Sequence, residues 1–352
     1  LTTSGTGAFK KRPTWLGIDV GGANLKAAHG DGSAGSSPFA VWRTPERLSE
    51  AIAELASGFP PFDRVAATMT AELCDCFATK REGVLSIVDS LSQAFGQRPV
   101  WYWGTDGRFH DAEEIRGQPL LAAASNWVAL ATVAARLVEG ESALLIDVGG
   151  TTTDLIPLRG GRVAARGRTD LERLRTGELV YAGVVRTPVC ALARELPFRG
   201  ELTGLAAELF ATTKDIYLLL GDLAPNAADV STADGRPSTP EAAHERLARM
   251  VGADRETCSR TDAEALARAA DRILVDRLIE AARRASAATI GETKVAVVSG
   301  EGEFLARRVA SALLGKEGVV HSLGSLWGQS ASEAACAHAL VELAAERWHE
   351  IL

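Results

Sequence analysis

The stretch LLIDVGGTTTDLIPL, Leu144 to Leu158, decides the fold. A short apolar run reaches Asp147, Gly149 and Gly150 interrupt it, Thr151, Thr152 and Thr153 follow, and a second apolar run starts after Asp154. Apolar runs so closely spaced about a glycine pair predict an antiparallel hairpin. Glycines let the backbone approach a ligand closely and turn its N–H groups into a concavity, which holds an anion without bulk positive charge. Threonine hydroxyls add donors, and an aspartate at a strand end can hold Mg²⁺ directly or through water. The same core recurs at WLGIDVGGANLKAAH, Trp15 to His29, where Asp19 matches Asp147 and Gly21 matches Gly149. The offset of 128 residues (147 minus 19) is domain-sized and too long for a solenoid repeat. Two such turns from two related domains would face one another across a cleft and clamp two phosphates and a metal.

The rest of the chain fits that reading. A length of 352 residues suffices for two domains, with 46% hydrophobic and 24% charged residues. A formal charge of −7 gives no footprint for nucleic acid or an anionic membrane, so an anionic ligand needs a local site. No run approaches the roughly 20 apolar residues of a membrane span. The N-terminal LTTSGTGAFKKRPTW lacks the apolar core of a signal peptide, and residues 1–14 read as a flexible lead-in. Five cysteines, with Cys74 and Cys76 the nearest pair, give neither a disulfide framework nor a metal-site spacing, so they read as reduced structural thiols. The expectation is a soluble cytoplasmic protein.

Strand-length runs alternate with helical patterns, as in an α/β protein. WLGIDV, LKAAHG and PFAVWRT read as a meander, RVAATMT and VWYWG as later strands, and PERLSEAIAELASGF and EGVLSIVDSLSQAFG as helices. After Gln118 a helical stretch runs through NWVALATVAARLV, with Asn126 as its cap and Trp127 in the core. The hairpin then restarts, with Gly160 and Gly161 as its second tight turn. LTGLAAELFATTKDIYLLLGDL, PEAAHERLARMVG and DAEALARAADRILVDRLIEAARRASA read as helices, and NAADVSTADGRPSTP as a surface loop able to move. KVAVVSG and GVVHSL read as strands flanking the helix FLARRVASALLG, and a last helix runs from Ser332 to Trp348.

DVGGANLK, DVGGTTTD and SGEGEFL resemble, in order and spacing, the phosphate-1, phosphate-2 and adenosine elements of the actin, Hsp70 and sugar-kinase superfamily. The resemblance implies two duplicated ribonuclease H-like α/β domains with a central cleft. Residues 15–125 with 328–352 would form the first domain and 126–327 the second. It also implies Asp19 and Asp147 at the metal, with Asp154 a further metal candidate. Gly21, Gly22, Asn24, Gly149, Gly150, Thr151, Thr152 and Thr153 would contact phosphate, with Lys26 and Arg186 as cations. Gly300, Glu301 and Gly302 would line a nucleotide-like pocket, although Glu301 interrupts the longer glycine run usual there. GEGEFL lacks the third glycine of a dinucleotide fingerprint.

TMTAELCDCFATKREGV, ASNW, TGELVYAGVVRTPVC and ELFATTKDIYLLLGDL are similar to the hydantoinase/oxoprolinase-like proteins linked to tetrahydromethanopterin-dependent C1 metabolism. That resemblance implies methanofuran-type cofactor synthesis. A phenol oxygen of a glutamyltyramine-type amine would displace diphosphate from an aminomethyl-furan methyl diphosphate. Mg²⁺ would be the cofactor, with ATP left open, and small molecules the partners, with self-association compatible. Glu72, Asp75 or Glu178 would supply a base for a phenol of pKa about 10. Two other readings stand beside it: an ATP-dependent small-molecule kinase or ATP-coupled hydrolase, and a non-catalytic nucleotide-responsive protein.

Overall fold

A computed structural model describes residues 12–349. The chain divides into two compact units, residues 1–133 with 334–352, and residues 134–333. One boundary falls inside the helix Asn126–Arg136 rather than ahead of it. The N-terminal lead-in lies outside the described residues up to position 11. Thr14 is in place, its N–H donating to Asp63 Oδ2 and its carbonyl accepting from Asp63 and Arg64.

In the first unit, β1 (Trp15–Val20), β2 (Asn24–His29), β3 (Ala34–Pro38), β4 (Arg64–Met69), β5 (Val100–Trp103) and β6 (Phe109–His110) form one sheet, ordered β3-β2-β1-β4-β5-β6. The first three strands are antiparallel, whereas β4 runs parallel to β1 and β5 parallel to β4. Strand alternation sends Leu16, Ile18 and Val20 into a core shared with Ile52, Val84 and Ile87. The opposite face carries Gly17 and Asp19. At Gly17 a Cβ would lie 2.1 Å from the carbonyl oxygen of Ala337, so only glycine lets the helix Ala335–Arg347 pack there.

The second unit contains β7 (Ser142–Val148), β8 (Thr153–Arg159), β9 (Arg162–Val163), β10 (Leu179–Val180), the separate hairpin β11 (Glu195–Phe198) and β12 (Glu201–Gly204), then β13 (Val295–Ser299) and β14 (Val319–Ser322). The main order is β10-β8-β7-β13-β14, with β9 also beside β8. Again a hairpin comes first, and two parallel strands, β13 and β14, add beyond its first strand. Both sheets therefore show the ribonuclease H-like order third-second-first-fourth-fifth. The connection to the fourth strand is one helix, Leu48–Ser57, in the first unit. In the second it contains the 28-residue helix Arg260–Ala287, whose Ala263, Leu266, Ala267, Ala270 and Leu274 are buried at helical spacing.

Three sequence expectations change. PFAVWRT is no strand: β3 ends at Pro38, and Phe39 and Val41 instead donate their N–H groups to Ala23 and Gly22 in the first glycine turn. The helix expected from Leu202 begins only at Thr213, because Thr212 and Asp215 form a capping box there. The residues before it include β12, joined to β11 by Arg199 and Gly200, both at positive φ. The loop expected at 226–240 is tied down by Asn226 N–H to the Ser238 carbonyl at 2.8 Å and by Lys214 Nζ to Asp229 Oδ2 at 2.7 Å.

Candidate active site: two strapped glycine turns

In the second unit, Gly149 N–H donates to the Thr152 carbonyl at 2.9 Å and closes the turn. The next two carbonyls, Gly149 and Gly150, accept from Val184 at 3.0 Å, Val185 at 2.9 Å and Arg186 at 2.8 Å. This strap requires Gly183, where a Cβ would lie 2.3 Å from the Gly149 oxygen and 2.6 Å from Thr151 N. Thr187 holds it closed, its hydroxyl accepting from Gly183 N–H at 2.9 Å. A trans peptide points N–H opposite to C=O. With the Gly149 and Gly150 carbonyls on the strap, the N–H groups of Gly150 and Thr151 are directed away from it. An anion-binding concavity needs that arrangement.

The first unit repeats the device. Gly21 N–H donates to the Asn24 carbonyl at 3.1 Å, and the Gly22 and Ala23 carbonyls accept from Val41 and Phe39, each at 3.0 Å. The N–H groups of Ala23 and Asn24 therefore point away from residues 39–41. Neither glycine pair is at positive φ, so close approach is what demands glycine. A Cβ on Gly21 would sit 2.7 Å from the Asn24 oxygen.

The aspartates sit at matching points. Asp19 pairs across β2 with Lys26 and across β4 with Thr68; Asp147 pairs across β8 with Asp154 and across β13 with Ser299. Ser299 Oγ donates to Asp147 Oδ1 at 2.6 Å. Asp19 is buried, and Lys26 and Asp147 are half-buried.

The other expected site residues divide between the turn and its surroundings. Asp154 is buried and accepts from Arg173 Nη2; burial pushes its carboxyl up, against the pull of the guanidinium. It is committed to that pair and makes a poor metal ligand. Thr153 spends its hydroxyl on the Ala182 carbonyl at 2.8 Å. Glu178 is buried and accepts from Arg166 N–H at 2.6 Å, Gly167 N–H at 2.8 Å and Thr176 Oγ1 at 2.9 Å, so it anchors a loop. Glu72 is buried in the short helix Ala71–Leu73, with Gly83 pressed on its backbone; a Cβ at Gly83 would lie 2.4 Å from the Glu72 carbonyl oxygen. Asp75 and Arg186 are exposed, and Thr151 and Thr152 half-buried. Asn126 Oδ1 accepts from Trp127 N–H, and Trp127 is buried.

In SGEGEF the two glutamates divide. Glu303 is buried and takes Ser322 Oγ, Gly324 N–H, Ser332 Oγ and Arg307, fixing the chain after β14. Gly300, at φ +97°, and Gly302, whose N–H donates to the Val148 carbonyl at 2.8 Å, fold the loop onto β7. Glu301 then reaches the glycine turn itself: a Cβ on Gly150 would meet its Oε2 at 2.8 Å.

Among the described residues no three His, Cys, Asp or Glu side chains converge on a metal position. Mg²⁺ commonly uses only one or two carboxylates, substrate phosphate and water. A single strand-end aspartate beside an N–H-lined turn fits that donor set.

Residues 63–344 match the family described as Hydantoinase/oxoprolinase. The chain belongs to the hydantoinase/oxoprolinase family. The match begins just before β4, so the first glycine turn lies outside it. Within this family, the (4-{4-[2-(gamma-L-glutamylamino)ethyl]phenoxymethyl}furan-2-yl)methanamine synthase of Methanocaldococcus jannaschii is 40% identical over 244 residues, 68% of this chain and 72% of that one. The protein of the same name from Methanococcus vannielii is 32% identical over 173 residues, 49% of this chain and 77% of that one. These synthase relatives make the family member described here an enzyme. A solved acetone carboxylase, free of nucleotide, aligns with 93% of this chain and 70% of its own at a TM-score of 0.54 and 10% identity, a likeness of fold alone. The fold is that of the actin, Hsp70 and sugar-kinase superfamily. Among the described residues no helix is long and apolar enough to cross a membrane.

Proposed function

We propose that this enzyme is a transferase of methanofuran-type cofactor biosynthesis, forming an aryl ether by displacing diphosphate from a furfuryl carbon. The strapped Gly149–Gly150 turn carries the reading, since its acceptors are occupied and its donors are turned outward. The relatives' printed product supplies the chemistry: a phenoxymethyl ether on a furan that also bears a methanamine. Making that ether from a phenol requires a leaving group on the methylene, and a turn of this kind suits diphosphate.

In the reaction, the bond from the methylene carbon to diphosphate oxygen breaks, its electron pair leaving with the diphosphate. The phenol oxygen bonds to the same carbon and loses its proton. The furan ring spreads the developing positive charge, so the protein's main task is to stabilise the leaving group. The Gly150 and Thr151 N–H groups of the second unit are the donors for this, and in the first unit those of Ala23 and Asn24, with Lys26, make a turn of the same kind. Asp147 is the carboxylate beside this turn that would hold Mg²⁺, which would neutralise diphosphate charge, and Asp19 is its counterpart in the first unit. Of the carboxylates proposed as bases, exposed Asp75 is the one a phenol can approach, since Glu72 is buried and Glu178 is consumed.

The test follows diphosphate release with Mg²⁺, aminomethyl-furan methyl diphosphate and γ-glutamyltyramine, with an ATP-only reaction alongside. Release coupled to a new aryl ether is expected. Asp147→Asn and Asp19→Asn should each lower kcat about a hundredfold or more, with unchanged circular dichroism. ATP consumption without ether formation would sink the reading and favour a kinase or ATP-coupled hydrolase.

A further inference from the structure

A carboxylate placed against an anion-binding turn opposes the ligand that the turn is shaped to hold. Glu301 occupies that position. A Cβ on Gly150 would meet Glu301 Oε2 at 2.8 Å and Val185 Cγ2 at 3.3 Å, so carboxylate, strap and turn meet at one point. The backbone just before it packs tightly on β7, because Gly300 could carry no side chain: its Cβ would lie 2.3 Å from the Val148 oxygen and 2.8 Å from Asp147 Oδ1. Closure of the loop is the task of its neighbour, Glu303, through Ser322, Gly324 and Ser332. Glu301 is thus held at the turn, beside Val185 of the strap. At contact distance, repulsion between a carboxylate and a phosphate outweighs what one backbone donor returns. A ligand with positive charge on its organic part suits a turn that carries an acid.

We propose that Glu301 is a specificity residue that accepts a hydrogen bond from a primary ammonium on the organic diphosphate bound at the Gly149–Gly150 turn. The inference rests on the transferase reading and deepens it, since the proposed substrate bears an aminomethyl group. A carboxylate accepts strongly from an ammonium, and it disfavours diphosphates that lack one, including nucleotides.

Calorimetric titration in Mg²⁺ would compare aminomethyl-furan methyl diphosphate with its analogue carrying methyl in place of aminomethyl. The wild type should bind the ammonium-bearing probe about tenfold more tightly. Glu301→Gln should bind the two alike and gain affinity for the methyl analogue, while Glu301→Asp keeps part of the preference. A preference retained in Glu301→Gln overturns the inference, as does a wild type that shows none. Equal weakening of both probes by Glu301→Gln, with a raised Mg²⁺ requirement, also overturns it and makes Glu301 a metal ligand. Because this is a binding measurement, absence of ether formation in the transferase assay would leave its outcome readable: an ammonium preference lost in Glu301→Gln would still hold, for another reaction.

Discussion

Across the hairpin from Asp19 stands Lys26; across from Asp147, at the same point of the repeat, stands Asp154. The frames agree down to single hydrogen bonds. Gly21 N–H to the Asn24 oxygen corresponds to Gly149 N–H to the Thr152 oxygen, and each turn is strapped through its second glycine carbonyl. The difference lies in where the positive charge goes. In the first hairpin the cation faces the strand-end aspartate from the neighbouring strand. In the second that place is an acid, and the cation, Arg173, comes from the helix Asp170–Thr176 and is 2% exposed. Duplication has kept the backbone device while one copy's cation stays half-buried near the turn and the other's has become part of the core.

The largest expected effect tests that division. Arg173→Met leaves Asp154 buried without its guanidinium and should cost about 3–5 kcal/mol of stability in urea unfolding. Burial already raises the Asp154 carboxyl, and loss of Arg173 raises it further. A carboxyl raised in the folded state contributes stability that is present at low pH and lost as pH rises. The deficit relative to wild type should therefore be smaller at about pH 4.5 than at about pH 8. Lys26→Met should behave oppositely, costing under about 1 kcal/mol of stability and lowering ether formation about tenfold. Equal stability losses in the two variants would break the comparison.

That contrast also marks what the sequence could reveal. The hairpins, their 128-residue offset (147 minus 19) and the parallel strands after them are local patterns, and local patterns are legible. The straps were not. Val184–Arg186 act through backbone N–H groups on a turn more than thirty residues earlier, and no side-chain type announces such a bond. The same limit explains Glu178, whose position in a polar motif resembles a base until Arg166 and Gly167 N–H groups are seen to occupy it. Glu301 and Glu303 stand two apart in one motif, yet one closes the fold and the other meets the turn. Thr153 was readable in principle: Asp154 shares a face with Asp147, so strand alternation sends Thr153 to the other side, where it meets Ala182.

The next effect in size concerns the strap. Gly183→Ala would drive a methyl into the backbone of Gly149, Gly150 and Thr151, all within 2.6 Å, and backbone cannot swing aside as a side-chain tip can. A cost of about 2–3 kcal/mol is expected, with ether formation falling further than stability alone explains, because the N–H groups of the turn lose their direction. Stability loss with full activity per folded molecule would show that the strap does not orient the turn.

The smallest effect is the most discriminating, because Gly22 and Gly150 are the same position in the two repeats and meet different neighbours. A Cβ on Gly22 would lie 3.0 Å from Cys74 Sγ; on Gly150 it would lie 2.8 Å from Glu301 Oε2, the end of a flexible side chain. Each alanine variant should cost under about 1 kcal/mol, since a thiol or a carboxylate can give way. Their effects on binding should separate. Gly150→Ala pushes Glu301 off the turn and should reduce the wild type's preference for the ammonium-bearing diphosphate, whereas Gly22→Ala leaves that preference intact. An equal change in both would mean that Glu301 does not set the preference, and that the acid at one turn and the thiol at the other are incidental to it.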